Sequence, residues 1–445
     1  MIRRFVWHPP GMRRLTAALI GSLLVVTACA SDDDSTQSST SDPVTTTATT
    51  DESAAASTPD TEPASTEAAP PATEATEPID TDPVDTEPAA TAAPLADLPS
   101  TGLGEYDVGV STITITDPTR NRPLTVDVWF PLADDVTGDP HRYTFVTGDY
   151  YESPQAVTAE PASISSDGPF PLVVYSHGSG GTRYIHSNYT ETIASHGYLV
   201  VAPDHTGNTA VERVLDTADD RSVIALNRPQ DIRVVIEAMV NPESPETAGF
   251  VAAADPERVA VTGHSFGGFT AYASAAGYAN ELGEVGPEPL LDAIIPLAPA
   301  VGGDDPANQL LSDGRLIAVQ VPSLVMVGTN DQTTPIDPNV ERAWELNSSD
   351  PHYRLELVDA QHNTFTDVCA YLDFLPSLPE VSDAVLQALE PQAAEGCAPG
   401  DMAIPRAQEL TNTFAISFLD SIFKGGEMID PNAYDLPDDI NYMAK

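Results

Sequence analysis

Apolar and polar residues follow two different patterns in the region from residue 101 onward. Ser111–Ile115 and Leu124–Phe130 alternate apolar and polar side chains, as half-buried antiparallel strands do. They are predicted to form the leading edge of a sheet, and the stretch 133–168 after them is predicted to be irregular. Further along, continuous apolar runs are typical of strands covered on both faces. These runs are Pro171–Ser176, Tyr198–His205, Val259–Thr262, Ala293–Leu297, Ser323–Val327 and Leu355–Val358.

Segments with helical periodicity lie between these runs. Apolar residues within Asn227–Val240 recur every three or four positions, which predicts an amphipathic helix. Tyr189–His196 and Gln408–Phe423 are predicted to be helical as well. Strands that alternate with helices form parallel sheets through right-handed crossovers. The pattern therefore predicts an α/β domain with a mostly parallel central sheet and helices on both faces.

One predicted strand runs directly into a serine flanked by glycines. Val259–Thr262 is followed by Gly263-His264-Ser265-Phe266-Gly267 and then by a helix-like segment. Because a serine hydroxyl is a weak nucleophile at neutral pH, serine hydrolases expose it on a sharp strand-to-helix turn. Glycines on both sides leave space for such a turn. The pattern predicts Ser265 as a catalytic nucleophile; a chance match to the five-residue motif is the alternative.

A base and an orienting acid are predicted from the ends of two later strands. Open parallel sheets bind ligands beyond the carboxyl ends of their strands. Asp331 follows the run that ends at Val327, and His362 follows the run that ends at Val358. The chain order Ser265, Asp331, His362 is that of α/β-hydrolases, in which the histidine takes the serine proton and the acid orients the histidine. The predicted fold is therefore the α/β-hydrolase fold.

Other histidines and acids are alternatives for these roles. His205 precedes the nucleophile in the chain, which disfavours it as the base. Asp359 lies three residues before His362 and fits a turn residue better. The rival histidines are His177, His205 and His264, and the rival acids are Asp304, Asp305 and Asp359.

A second glycine-rich turn follows the strand Pro171–Ser176. It reads His177-Gly178-Ser179-Gly180-Gly181, and its glycines allow close approach of the backbone to a ligand. In hydrolases of this chain order, one oxyanion N–H comes from the loop after the third strand and another from the residue after the nucleophile. Ser179 and Phe266 are the predicted donors; an ordinary glycine-rich connection is the alternative.

The start of the chain carries an export signal. Four arginines precede the apolar run Leu15–Val26, which ends in Val26-Thr27-Ala28-Cys29. This order is typical of a secretory signal peptide, and the run is shorter than the about 20 residues of a membrane span. The ending resembles the lipobox of bacterial lipoproteins, in which the cysteine is lipidated. We predict a lipoprotein signal peptide over residues 1–28, a lipidated Cys29 and an extracytoplasmic, membrane-anchored protein of the cell envelope. An ordinary cleaved signal peptide is the alternative.

Composition separates a linker from the catalytic domain. Residues 29–100 are rich in Ser, Thr, Pro, Ala and acids and contain no aromatic residue, Lys or Arg, which predicts a disordered acidic linker. Residues 101–445, the predicted catalytic domain, carry 51 acidic and 15 basic residues, a net charge of −36. This balance argues against a nucleic-acid partner, because phosphate binding needs clustered Lys and Arg. It leaves membrane attachment to the lipid anchor.

Two cysteines remain besides Cys29. Outside the cytoplasm, Cys369 and Cys397 most simply pair with each other, and a buried free pair is the alternative. The sequence has no C-x-x-C or H-E-x-x-H motif. It therefore predicts no metal site.

Four segments of the chain together carry a family resemblance. They are Val174–Gly181, Ala194–His205, Asn227–Ile232 and Val261–Gly268. These segments resemble plasma-type platelet-activating-factor acetylhydrolases and the related bacterial predicted dienelactone hydrolases. The resemblance covers roughly residues 105–365, and it implies a cofactor-free serine esterase that acts through an acyl-enzyme, with Ser265, Asp331 and His362 matching the family's triad. True dienelactone hydrolases have cysteine in place of Ser265, which argues against a dienelactone substrate.

The sequence as a whole predicts a tethered serine carboxylesterase with a monomeric catalytic domain. Its substrate is expected to be a small-molecule or lipid ester, as in lipase-like and acetylhydrolase-like enzymes. A serine peptidase or amidase on the same fold would use the same triad and is the first alternative. A catalytically inactive binding lipoprotein is the second, and the complete set of predicted site residues disfavours it.

Overall fold

The computed structural model describes residues 96–99, 101–146, 148–302, 309–377, 392 and 394–445. The predicted signal peptide, the predicted lipidation site Cys29 and most of the predicted linker lie outside the described residues. The rival acids Asp304 and Asp305 lie outside them too.

The strands alternate with helices along most of the described chain. Many of them coincide with the apolar runs of the sequence. In chain order they are β1 (Ala96–Asp97), β2 (Val108–Asp117), β3 (Arg122–Pro131), β4 (Pro140–Thr144), β5 (Tyr150–Thr158), β6 (Phe170–Ser176), β7 (Leu199–Pro203), β8 (Ala254–His264), β9 (Tyr278–Asn280), β10 (Gly283–Val285), β11 (Ala293–Leu297), β12 (Ser323–Gly328), β13 (His352–Leu357), β14 (Tyr434–Asp435) and β15 (Ile440–Ala444).

The main sheet has its parallel strands at the centre. Among the described residues it has 11 strands in the order β15-β13-β12-β11-β8-β6-β7-β3-β2-β5-β4. The strands from β13 to β7 in this order are parallel to one another. Antiparallel pairs flank them, with β15 on one side and β3 and β2 on the other. The carboxyl ends of the central strands therefore meet at one edge of the sheet.

The helices cover both faces of this sheet. Alternate residues of a strand point to opposite faces, so that Val173 and Tyr175 of β6 pack with one set of helices and Leu172 and Val174 with the other. The helices are α1 (Ser187–Ser195), α2 (Ala210–Leu215), α3 (Arg221–Val240), α4 (Phe266–Ala276), α5 (Asp313–Ile317), α6 (Glu341–Leu346), α7 (Val368–Phe374) and α8 (Ile404–Phe423). Apolar residues of α1 and α8 contribute to the first core, and those of α3 and α4 to the second.

Two sequence predictions about the early strands are wrong. The stretch 133–168 is not irregular, because it contains β4 and β5. These strands pair beyond β2, so β2 and β3 lie inside the sheet and are not its leading edge. Both new strands are short or interrupted: β5 contains Pro154 and leaves most of its side chains partly or fully exposed. Pro154 lies between Glu152 and Val157, where the pairing with β4 is irregular, and proline is tolerated at such irregularities. The proline and the exposed polar positions remove the apolar signal that identifies a strand in the sequence.

The start of α3 also differs from its prediction. The helix begins at Arg221 and not at Asn227, and Pro229 lies inside it. A proline is typical of the first turn of a helix, which favours a start close to Pro229 when only the sequence is considered.

Candidate active site

Ser265 lies in a strained turn between β8 and α4. Its backbone has φ 57° and ψ −115°, a conformation that non-glycine residues rarely adopt. The surrounding backbone holds it there: the Ser265 N–H donates to the carbonyl of Leu297 (2.9 Å), and the Ala300 N–H donates to the carbonyl of Ser265 (3.0 Å). The turn therefore has the geometry expected of a nucleophile elbow.

The two glycines of the motif are required by close packing. A Cβ atom on Gly263 or on Gly267 would overlap the backbone carbonyl of Ser176 at the end of β6. The elbow is thus pressed against the neighbouring strand, and only glycine fits at both positions.

His362 and Asp331 meet beyond the ends of β13 and β12. His362 Nδ1 lies 2.8 Å from Asp331 Oδ2, and both side chains are buried. The second carboxylate oxygen of Asp331 accepts the N–H groups of Thr333 (2.9 Å) and Thr334 (2.7 Å). Burial by itself would raise the pKa of Asp331, but the charge of His362 and these hydrogen bonds outweigh burial and hold the pKa below its ordinary value. Asp331 is therefore ionised and held in place beside the imidazole.

Thr334 contacts both members of this pair, and the sequence did not predict it as a site residue. Its Oγ1 lies 2.9 Å from Asp331 Oδ2, 3.2 Å from His362 Nδ1 and 3.0 Å from the carbonyl of Ala298. The signal in the sequence was Asp331-Gln332-Thr333-Thr334-Pro335, a composition in which side chains hydrogen-bond to a nearby turn.

His264 connects the histidine loop to the elbow. Its Nε2 lies 2.9 Å from the carbonyl oxygen of His362, and the two rings are 4.6 Å apart. Burial, reinforced by the charge of His362, holds the pKa of His264 well below its ordinary value. His264 is therefore neutral and donates its Nε2–H to that carbonyl. Since Ser265 is the next residue, this bond places the His362 loop beside the elbow.

The predicted oxyanion residues lie on two elements next to Ser265. A Cβ atom built on Gly178 would be 3.4 Å from Cβ of Ser265, so the turn that contains Ser179 is packed against the elbow. Phe266 is the first residue of α4. The first N–H groups of a helix have no partner within it and carry partial positive charge. The roles of Ser179 and Phe266 as oxyanion donors stay predictions.

The rival histidines and the described rival acid have other partners. His205 Nδ1 bonds Asp231 Oδ2 (3.0 Å), and His177 Nε2 accepts the N–H of His205 (3.1 Å). Both rings are buried beneath the glycine-rich turn, where they support it. Asp359 has φ 60° and lies in the turn after β13.

Residues 394–402 brace the His362 loop. The Asn363 N–H donates to the carbonyl of Glu395 (2.6 Å), and the amide of Gln361 donates to Asp401 Oδ1 (2.6 Å). Glu395 also accepts the hydroxyl of Thr333, next to Asp331 in space (2.8 Å). The predicted disulfide is present in the structure and fixes this segment to α7, since Cys369 and Cys397 are joined by an S–S bond of 2.05 Å.

Among the described residues, no group of His, Cys, Asp or Glu is arranged to hold a metal ion. In the same part of the chain, no helix is long and apolar enough to cross a bilayer.

Comparison with known sequences points to one hydrolase family over part of the chain. The family described as Chlorophyllase matches residues 151–313. This range contains Ser179 and Ser265 and ends before Asp331 and His362. Chlorophyllase-1 of Arabidopsis thaliana is 28% identical over 162 residues, which are 36% of this chain and 45% of the relative.

Two further curated relatives match shorter stretches. Chlorophyllase type 0 of Chenopodium album is 30% identical over 126 residues, 27% of this chain and 34% of the relative. A putative phospholipase A2 of Schizosaccharomyces pombe is 28% identical over 102 residues, 21% of this chain and 23% of the relative. The chain thus spans less than half the length of each of these relatives.

Comparison with solved structures identifies the fold. A ferulic acid esterase from Streptomyces cinnamoneus superposes with a TM-score of 0.53 at 23% identity, covering 80% of this chain and 98% of the esterase. Together with the mostly parallel sheet and its helices, this likeness shows that the chain has the α/β-hydrolase fold. The predicted fold class is confirmed.

Proposed function

We propose that this protein is a carboxylic ester hydrolase with a serine nucleophile, acting through an acyl-enzyme. The observation that carries the proposal is the buried His362–Asp331 pair, 2.8 Å apart, next to the strained turn of Ser265. The names of the matched proteins, which are chlorophyllases, a phospholipase and an esterase, support ester hydrolysis.

The proposed reaction uses each residue at a defined step. Ser265 Oγ attacks the ester carbonyl carbon while His362 Nε2 takes its proton, and Asp331 stabilises the imidazolium that forms. The carbonyl oxygen becomes an oxyanion that accepts the N–H groups of Ser179 and Phe266. Collapse of this intermediate expels the alcohol, which His362 protonates. Water then repeats the sequence on the acyl-enzyme and releases the acid.

The test is hydrolysis of p-nitrophenyl esters from acetyl to palmitoyl, with wild type and Ser265→Ala side by side. Loss of the nucleophile is expected to lower kcat by about a thousandfold or more. Ser274→Ala is the matched control, because Ser274 is a buried serine on α4 whose hydroxyl has no hydrogen-bond partner among the described residues. Unchanged turnover in Ser265→Ala would disprove the proposal.

The same panel separates the alternatives. Peptide p-nitroanilides run beside the esters would reveal an amidase or peptidase by faster turnover of the amide. A protein that turns over neither class and is not labelled by a fluorophosphonate would be an inactive binder.

We also propose that the enzyme works outside the cytoplasm on a lipid anchor at Cys29, on small-molecule or lipid esters. The support is the leader sequence and its Val-Thr-Ala-Cys ending.

A further inference from the structure

Arg228 is a fully buried arginine. It lies on α3 and its relative exposure is 0%. Burial lowers the pKa of its guanidinium to about 9, which leaves it positively charged at neutral pH. A buried charge is costly unless it is well hydrogen-bonded, so the hydrogen-bond partners of the Arg228 guanidinium must offset the cost of its burial.

The partners of Arg228 belong to the turn that carries Ser179. Nη1 donates to the carbonyl of His177, and Nη2 donates to the carbonyl of Gly178 (3.0 Å). Nε and Nη2 also donate to Asn208 Oδ1, at 3.0 and 2.6 Å. The guanidinium therefore donates hydrogen bonds to two consecutive carbonyl groups, on the side of the turn that faces the protein interior.

The hydrogen bonds of the Gly178 carbonyl determine where the Ser179 N–H points. This carbonyl accepts from Arg228 and also from His177 Nδ1 (2.7 Å) and the Gly181 N–H (3.1 Å). The cis peptide bonds of the described chain precede Pro169, Pro338 and Pro351, so the bond between Gly178 and Ser179 is trans. In a trans peptide the C=O and the following N–H point in opposite directions. With the carbonyl turned inward to Arg228, the N–H of Ser179 is turned the opposite way, outward.

Two further contacts connect Arg228 to the oxyanion residues. The amide nitrogen of Asn208 donates to Ser179 Oγ (3.2 Å), while the amide oxygen of Asn208 is held by Arg228. The guanidinium also lies 5.2 Å from the ring centroid of Phe266. Arg228 thus contacts Asn208, which holds the side chain of Ser179, and also the ring of Phe266. It therefore touches groups next to both predicted oxyanion donors.

We infer that Arg228 is the positioning residue of the oxyanion hole: it fixes the Gly178–Ser179 peptide so that the Ser179 N–H faces the developing oxyanion. The positive charge at the carbonyl polarises the peptide, which makes its N–H a stronger donor. This inference rests on the proposed function, and it assigns to α3 a part in catalysis without contact with the substrate.

The first test compares Arg228→Met with Arg233→Met, an arginine on the same helix that pairs with Glu288 away from the turn. Arg228→Met is expected to lower kcat by about 10- to 100-fold with little change in KM, because one oxyanion donor is misplaced. Its affinity for a trifluoromethyl ketone, which mimics the tetrahedral intermediate, is expected to fall by the same factor. Arg233→Met is expected to lose stability at most.

The second test decides whether Arg228 acts through Ser179. Ser179→Pro removes the N–H itself, so adding Arg228→Met to Ser179→Pro is expected to lower kcat no further. A merely structural arginine would instead give additive losses. Equal ketone affinity in Arg228→Met and wild type, or additive losses in the double variant, would overturn the inference.

Further variants cover a failure of Arg228→Met to fold. Arg228→Lys keeps the positive charge but loses the planar fork of N–H donors, and Asn208→Ala removes the second contact with Ser179. Each substitution is expected to lower kcat several-fold when Ser179 is present. Neither is expected to lower kcat further in the Ser179→Pro variant. Full activity in both folded variants would also overturn the inference. Failure of the proposed function is distinguishable, since it would appear as full activity in Ser265→Ala.

Discussion

Ser179 occupies the second position of a four-residue turn, and this position makes its role testable. The Gly181 N–H donates to the carbonyl of Gly178 (3.1 Å), and Gly180 has φ 65°. Ser179 is not among the residues with positive φ. These features define a type II turn, in which proline is favoured at the second position. Ser179 is also exposed, so a proline ring has space there.

We therefore expect Ser179→Pro to remove one oxyanion donor while leaving the turn intact. Its kcat should fall by about 100- to 1,000-fold, the usual effect of losing one such donor, and its melting temperature should stay close to that of wild type. Ser179→Ala keeps the N–H and loses only the hydroxyl that accepts from Asn208, so it serves as the matched control, with kcat lowered at most several-fold. Steady-state kinetics with a p-nitrophenyl ester measure the effect. Equal kcat in the proline and alanine variants would exclude Ser179 as a donor.

The residues of the candidate site differ in how visible they are in the sequence. Ser265, Asp331 and His362 each follow a strongly apolar strand, so the rule about strand ends brings them together before any coordinates are known. Arg228 gives no such signal, because one arginine in an amphipathic helix looks like a solvent-exposed residue. Its burial depends on carbonyl groups about 50 positions earlier in the chain, which no local pattern reveals.

At the scale of elements, a buried hydrogen-bonded chain joins the β4–β5 pair to α1. Tyr143 on β4 and Ser153 on β5 both donate to Glu191 Oε1, at 2.6 and 2.7 Å. Burial raises the pKa of Glu191 from 4.5 to about 7. These partners are polar residues far apart in sequence, and they explain why the pattern of apolar residues did not predict the attachment of these strands.

The raised pKa makes stability depend on pH. A carboxyl group whose pKa is higher in the folded state stabilises the fold fully below about 4.5, and this contribution is lost as pH rises to about 7. Glu191→Gln stays neutral, so its stability relative to wild type should increase over that range, by at most about 1.4 kcal/mol per pH unit. Urea unfolding between these pH values measures it. Burial also raises the pKa of Asp367 to about 6. Because Asp367 is present in both proteins, the comparison between them isolates the contribution of Glu191.

Glu152→Gln is the control for this comparison, because Glu152 lies on the same strand as Ser153 but is exposed. Its stability difference from wild type should not change with pH in the same way. A pH-independent difference between Glu191→Gln and wild type would contradict the prediction.

The disulfide acts on the active site through residues 394–402. Removing it by Cys369→Ala with Cys397→Ala opens a loop with a sequence separation of 28 residues, which should lower the free energy of unfolding by roughly 3–4 kcal/mol. Because that segment holds Gln361 and Asn363 on either side of His362, kcat should also fall several-fold in protein that is still folded. Urea unfolding and kinetics at 25 °C measure the two effects separately. An unchanged kcat in folded protein would show that the brace is not needed for catalysis.

At the scale of the whole molecule, the order of strands and helices could be read from the sequence, whereas the edges of the sheet could not. The parallel strands β6, β11 and β12 and the second half of β8, from Val259 onward, are buried on both faces, and their apolar runs are almost uninterrupted. The outer strands β4, β5 and β15 are largely exposed or only partly buried, so that solvent-facing polar residues mask them in the sequence. The central order is enough to place the site, which lies at the ends of the buried strands.

The predicted anchor at Cys29 should be separable from catalysis. The proposed catalytic residues lie between positions 179 and 362, within the described fold, whereas Cys29 precedes the acidic stretch 30–100. In a bacterial host that processes lipoproteins, the wild-type enzyme should fractionate with membranes, and mass spectrometry should find a diacylglyceryl group on an N-terminal Cys29. Cys29→Ala should leave the membrane fraction while its kcat/KM on a soluble p-nitrophenyl ester stays at the wild-type value, because the lipid contributes nothing to the acyl transfer. An unmodified N-terminus at Ala30 or later in the wild-type enzyme would refute the anchor and leave the hydrolase proposal standing.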